Sequence, residues 1–231
     1  MAQEAQRYFV KYTFFKVDLE WRRLSQGDRE RSKTEFAAVV DEFDSQISIN
    51  SYSLLGTRGD VDFMLWKVSP SLELLDGLAS QINHTDLGKY LHTSHSYLAM
   101  TRRSPYIDHH RHSGQEGVGE TMRTIGREYL FVYPFVKTHE WYQLPKEERQ
   151  MIMSEHFEMG HRFPSVKIST SYSFGLDDQE FVLGFETDSP SDFLDLVMNL
   201  RESKARPYTE RDTPIFTCVH KSLKECLDGL G

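Results

Sequence analysis

Three side chains in the second half of this 231-residue chain could act on a bound molecule: Tyr133, Lys137 and His156. His156 lies in "LPKEERQMIMSEHFEMGHRFP" and shares a helical face with Ile152 and Met159, at the i−4 and i+3 spacing. An imidazole there faces inward among apolar groups, and burying it without a partner costs free energy. Two readings stay open. It is a core histidine bonded to backbone, or a neutral imidazole that ligates a metal or a haem iron. In "YLFVYPFVK" alternation puts Tyr129, Phe131, Tyr133, Phe135 and Lys137 on one face of a strand. Tyr133 and Lys137 then lie about 13 Å apart at ~3.3 Å per residue, and Pro134 marks an edge or bulge. Taken singly, Tyr133 reads as a tyrosine at the core edge and Lys137 as a strand-end charge. With His156 they read as one site. His109, His110 and His112 lack metal-ligand spacing; they belong to a solvated loop, or one of them exchanges protons over a pocket. Asp177 and Asp178 look like paired acids, but the "GLDD" around them reads as a hairpin turn.

The elements that position these residues are written twice. "SYSLLGTRGDVDFMLWKVSP" (51–70) and "SYSFGLDDQEFVLGFETDSP" (171–190) begin and end alike at an offset of 120. The same offset lays Arg7 on Arg127, Phe15 on Phe135, Trp21 on Trp141 and Glu35 on Glu155, without a gap from residue 7 to 53. Each copy runs through an aromatic strand, a charged amphipathic helix, a hairpin, a second amphipathic helix and a closing apolar strand. That order is the β-α-β-β-α-β of a ferredoxin-like unit. The expected fold is therefore α+β, two such halves forming a dimeric α+β barrel-type body. Residues 1–101 are the scaffold half, 102–126 a Gly- and His-rich linker, and 127–231 the half that carries the site. The assignment to the second half follows from where the copies differ: Phe36 becomes His156, Thr13 becomes Tyr133 and Val17 becomes Lys137.

A net charge of −8 argues against a nucleic-acid partner. Two cysteines, Cys218 and Cys226, are too few for a disulfide framework. The N-terminus lacks a secretory pattern and no apolar run is long enough to span a membrane, so a cytoplasmic protein is expected. There is no GxSxG, HExxH or phosphate-binding glycine loop.

"FVYPFVKTHEWYQLPKEERQMIMSEH", "YSFGLDDQEFVLGFETD" and "ARPYTERDTPIFT" resemble the chlorite dismutase-like haem proteins over roughly residues 129–218. The resemblance implies a haem in the C-terminal half, with His156 as proximal iron ligand, Trp141 packed near the haem and Lys137 on a propionate. It also implies a homo-oligomeric ring, commonly a pentamer. Dismutases of the family carry a distal arginine where this chain has Ile168. The Tyr133-Pro134 dipeptide instead resembles the coproheme decarboxylase branch, in which the tyrosine is the catalytic radical. That branch implies iron coproporphyrin III as substrate and cofactor, hydrogen peroxide as oxidant and haem b as product. Lys137 and Arg206 would hold carboxylates, and His112 or a neighbour would act as distal base. Two alternatives accompany this reading: chlorite dismutation or weak peroxidase activity on bound haem b, and a haem-binding protein without catalysis.

Overall fold

The computed structural model describes residues 6–106 and 124–231. His109, His110 and His112 lie outside the described residues, so the proposed distal base stays an expectation. The chain divides into two compact units, one of residues 1–100 with 217–231 and one of residues 101–216.

In the first unit β1 (Phe9–Val17) leads through α1 (Leu19–Arg22) into α2 (Gln26–Phe43). The hairpin β2 (Ser48–Ser53) and β3 (Phe63–Ser69) follows, then α3 (Leu72–His84), a single 3-10 turn (Gly88–Tyr90) and β4 (Leu91–Met100). Ser25 and Ser71 cap α2 and α3 by accepting from Asp28 N and Leu74 N. The strands pair antiparallel in the order β2-β3-β1-β4. One sheet face meets the helices, where Phe15, Val17, Phe63 and Leu65 pack against Phe36, Val40 and Phe43 of α2.

The second unit repeats the plan with β5 (Tyr129–Lys137), α4 (His139–Gln143), α5 (Lys146–His161), β6 (Lys167–Tyr172), β7 (Phe181–Thr187) and α6 (Pro190–Arg201). A 3-10 turn (Arg206–Tyr208) and the short β8 (Thr209–Arg211) complete it. Its antiparallel order, β6-β7-β5-β8, matches that of the first unit. The chain ends with β9 (Phe216–His220) and α7 (Leu223–Asp228). Residues 217–231, which the sequence groups with the second half, cluster with the first unit. There β9 pairs with β2, and Cys226, Leu227 and Leu230 are buried in that unit's core. Among the described residues no helix is long and apolar enough to cross a membrane.

The offset of 120 holds through β1/β5 and the helices that follow, then drifts. Thr13 pairs with Leu65, and Tyr133 pairs with Leu183, so Leu65 corresponds to Leu183 at an offset of 118. Ser51 pairs with Leu65 and Thr170 with Leu183, an offset of 119. The two Ser-Tyr-Ser triplets are therefore one residue out of register, and a one-residue slip turns side chains to the opposite face. Tyr172, on the row with Phe135, faces the helices; Tyr52, opposite Met64, faces away. The shared ends are also not equivalent. Ser71, which caps α3, corresponds to Ser189 before α6, at an offset of 118. The hairpin of the second copy is thus one residue shorter, and a positive-φ glycine, Gly175 at 72°, makes its turn.

Candidate active site

Within the second unit, Tyr133 and Lys137 stand on the helix-facing side of β5, as alternation demands. Tyr133 is buried at 8% exposure among Phe131, Phe185, Phe193 and Leu196. It stacks on Phe185 with ring centroids 5.6 Å apart. The first unit fills the same two positions differently. Phe185 corresponds to Lys67 and Tyr133 to Thr13, and Lys67 Nζ donates to Thr13 Oγ1 at 2.8 Å. One copy holds a hydrogen-bonded polar pair, the other a stacked aromatic pair that includes a phenol. Burial, and secondarily the Asp212 carboxylate, push the Tyr133 hydroxyl well above its ordinary range, while Arg201 and Arg206 pull it back. Tyr133 is therefore a neutral phenol at any working pH.

Lys137 ends β5 with its ammonium 4.4 Å from the centroid of the Trp141 ring and 5.2 Å from that of Phe135, a cation-π arrangement. Burial lowers its pKa to about 8; Glu180 opposes the shift and Arg206 adds to it. Trp141 is itself buried with Ile152 and Ala205, and Tyr208 lies against it at 5.5 Å. Glu180 pins the strand end. Its Oε2 accepts from Lys137 N at 2.8 Å and from the Tyr142 hydroxyl at 2.6 Å. In the first unit Asp62 does the same for Val17 N at 2.8 Å. A carboxylate that accepts from this backbone N–H is common to both copies, Asp62 in one and Glu180 in the other, while the residue it holds changes from Val17 to Lys137.

His156 sits on α5, where the first copy has Phe36. Phe36 is fully buried; His156 is partly buried, with its Nδ1 enclosed and without a hydrogen-bond partner. Burial, then the nearby Lys137 charge, lower its pKa to about 4. A neutral imidazole with an unanswered buried nitrogen is costly as core and suitable as a ligand. The helix that carries it contributes equally little as a core element. Whereas α2 buries Ser32, Lys33, Phe36, Val40 and Phe43, α5 buries Ile152 alone.

Ile168 lies on β6 opposite Phe185, which in turn lies opposite Phe131, so it shares the sheet face of Tyr133. It is 40% exposed and brings an apolar side chain to that face. Arg206 Nη1 donates to Asp212 Oδ2 at 2.7 Å, and Arg201 Nη1 donates to the same oxygen. Sequence reasoning missed Asp212, Arg201 and Glu180. Arg201 looks like an ordinary helix-terminal cation and Asp212 like a loop acid; only the register between the copies marks them. The structure thus gathers Tyr133, Lys137, Trp141, His156 and Arg206 within one unit, linked by contact or by charge, with Ile168 on the shared face.

The residues present fit a haem-type group. There is a neutral nitrogen for a metal, there are cations for carboxylates, and the inward side of the helix covers little core. Residues 29–221 match the family described as chlorite dismutase. A coproheme decarboxylase of Mycolicibacterium smegmatis is 34% identical over 177 residues, which are 76% of this chain and 74% of that one. A variant chlorite dismutase from Candidatus Nitrospira defluvii superposes with a TM-score of 0.89 at 26% identity, covering 98% of this chain and 96% of that one. The chlorite dismutase of the same organism in complex with imidazole gives 0.88 at 26% identity, with the same coverage.

Proposed function

The chain belongs to the chlorite dismutase family, and we propose that within it the chain carries out the peroxide-dependent decarboxylation of iron coproporphyrin to haem b. The observation that carries this reading is the Tyr133 phenol, stacked and buried on the face that also holds Lys137, in the copy whose helix presents a neutral imidazole. The M. smegmatis relative, named for this reaction, supports it.

In this reading the bound iron porphyrin supplies peroxide activation and oxidising power. His156 would hold the iron through the ring nitrogen that carries no proton, which is available because burial keeps the imidazole neutral. Lys137 and Arg206 hold propionate carboxylates by charge-assisted hydrogen bonds. Tyr133 gives up its phenolic hydrogen and, as a radical, takes a hydrogen atom from a propionate side chain of the substrate. The propionate loses a further electron and CO2 and becomes a vinyl group. Each round balances as propionate, one peroxide and one proton to vinyl, CO2 and two waters, and two rounds give haem b. Phe185 against one face of Tyr133 keeps the phenol in place through both rounds.

The same reading takes each half as ferredoxin-like, the pair as a barrel-type body, the assembly as a homo-oligomeric ring of five and the cytoplasm as its location. The twice-written element order and matching strand order support the first of these. A second reading, chlorite dismutation, is favoured by the likeness to solved dismutases. The apolar Ile168 on the face of Tyr133 weighs against it.

The test is incubation with iron coproporphyrin and peroxide, with products followed by mass spectrometry. The expected result is stepwise loss of two CO2 by the wild type and none by Tyr133→Phe, which still binds substrate. A wild type that yields no haem b, or a Tyr133→Phe variant as fast as wild type, overturns the reading. Sustained oxygen evolution from chlorite would install the second reading in its place.

A further inference from the structure

The differences between the two copies mark more than the residues already named. The 3-10 turn Arg206–Tyr208 corresponds to Gly88–Tyr90 at an offset of 118, because each turn leads directly into the strand that pairs with the end of β5 or β1. The equivalence is tight. Thr138 N donates to Tyr208 O at 3.1 Å, and Asp18 N donates to Tyr90 O at 2.8 Å. Arg206 therefore stands where the first copy has Gly88. A side chain at Gly88 has no room, since a Cβ would meet Ile82 O at 1.9 Å. Arg201, level with residue 83 by the same offset, replaces Asn83. Val136 pairs with Arg211 and Lys16 with His92, so the next residue, Asp212, replaces Thr93. A glycine, an asparagine and a threonine have all become charged, and in the second unit both new cations meet at one atom, Asp212 Oδ2.

We propose that Asp212 is a positioning residue: it holds Arg206, with Arg201 behind it, in the one orientation that presents a guanidinium to a substrate carboxylate beside Tyr133. Three observations support it. Asp212 is largely buried, at 16% side-chain exposure, whereas Arg206 and Arg201 are at 37% and 39%. The carboxylate is thus the fixed partner and the arginines are the ones held. Second, Asp212 follows β8 directly, one residue past the Arg211–Val136 pair, and its charge and those of both arginines act on the Tyr133 hydroxyl. Third, the trio is net positive by one, so a carboxylate is the partner it leaves room for. Burial pulls the Asp212 carboxyl upward, but the two guanidiniums outweigh that and keep it ionised. The proposal rests on the coproheme reading for the identity of the carboxylate, though not for the pairing itself.

Simple charge counting and positioning give opposite expectations. Asp212→Asn makes the site more positive. If Asp212 acts only as a nearby negative charge, an anionic porphyrin binds more tightly and reacts no more slowly. If it positions Arg206, the contribution of Arg206 is lost with it. The experiment is a cycle of Arg206→Gln, Asp212→Asn and the double variant, read by quenching of protein fluorescence as iron coproporphyrin is added to the apoprotein. Arg206→Gln should weaken binding about tenfold, as expected for loss of one charge-assisted contact. In the Asp212→Asn background it should weaken binding less than about threefold. Equal fold-losses in the two backgrounds overturn the proposal. Asp212→Glu, which keeps the charge, should restore most of the Arg206 effect. Should Asp212→Asn fail to fold, Asp212→Thr, which installs the residue of the first copy, takes its place in the cycle with the same expected and overturning results. Turnover at saturating iron coproporphyrin gives the second readout. A carboxylate set down away from Tyr133 reacts slowly, so Asp212→Asn should lower kcat about tenfold and should not lower that of Arg206→Gln further. An unchanged kcat rejects the idea. Failure of the wild type to make haem b refutes the decarboxylase reading and leaves the binding cycle standing on its own.

Discussion

Lys67 should be a liability to the fold, and removing its charge should stabilise the protein. Its side chain lies on the helix-facing side of β3 at 4% exposure, with Thr13 Oγ1 as hydrogen-bond acceptor and the Lys11 ammonium as neighbour. Burial first, and Lys11 second, bring its pKa from 10.5 to about 7. The folded value is below the unfolded one, so between about pH 7 and pH 10.5 the unfolded chain binds the extra proton. Stability therefore rises with pH across that window, and the full penalty applies below it. At ~1.4 kcal/mol per pKa unit the penalty reaches about 5 kcal/mol at low pH and roughly 4 kcal/mol at pH 7. Lys67→Met keeps the length of the side chain and deletes the charge, but leaves Thr13 without its donor, which costs about 1 kcal/mol. The expected net gain is about 3 kcal/mol at pH 7, shrinking steadily as the pH approaches about 10. Urea unfolding of the apoprotein at several pH values measures it. A Lys67→Met variant that is less stable than wild type, or a gain that does not change with pH, refutes the reasoning and means that the ammonium is satisfied where it lies.

Three further outcomes are expected. His156→Phe restores the residue of the first copy; it should abolish the iron-ligand signature in the visible spectrum of the bound porphyrin. It should also remove the loss of apoprotein stability that His156, with its pKa lowered to about 4, causes as pH falls from about 6.5 toward 4. Lys137→Met should weaken iron coproporphyrin binding about tenfold and let the His156 pKa rise, since Lys137 is the second cause of its depression; proton NMR of the imidazole reads this. Glu180→Gln and Asp62→Asn, the matched strand clamps, should each cost about 1–2 kcal/mol in urea unfolding, which separates clamping from chemistry.

Much of the site was legible because the chain supplies its own comparison. Phe36 against His156, Thr13 against Tyr133 and Val17 against Lys137 all lie where the offset of 120 holds, and there the reading of strand faces and helix faces carried through. Beyond the first long helix of each copy the same ruler misled. One residue is lost before β6 and another in the hairpin, and identical Ser-Tyr-Ser and Ser-Pro strings conceal the loss. A strand register is set by pairing, which letters do not display. Arg206, which only the family resemblance pointed to, and Arg201 and Asp212, which nothing in the sequence pointed to, all fall in this drifted stretch. At an offset of 120 Arg206 falls on Asp86, Arg201 on Gln81 and Asp212 on His92, all polar residues whose replacement by another polar residue draws no notice. Only at the true register do they oppose Gly88, Asn83 and Thr93.

The sparse inward side of α5 has a consequence for how firmly the second unit holds its own long helix when nothing is bound. Burying one large apolar side chain contributes roughly 1.5–3 kcal/mol, and α5 buries Ile152 whereas α2 buries Phe36, Val40 and Phe43. Opening free energy is set locally by such contacts, so α5 should open from its sheet more often than α2 does in the apoprotein. A molecule bound against that side of α5 adds its own binding free energy to the closed form alone. Binding should then be legible in the backbone of one helix: its amides should exchange faster than those of α2 in the apoprotein and approach the protection of α2 once iron coproporphyrin is added. The porphyrin is thereby expected to supply the apolar contact that Phe36, Val40 and Phe43 supply in the first copy.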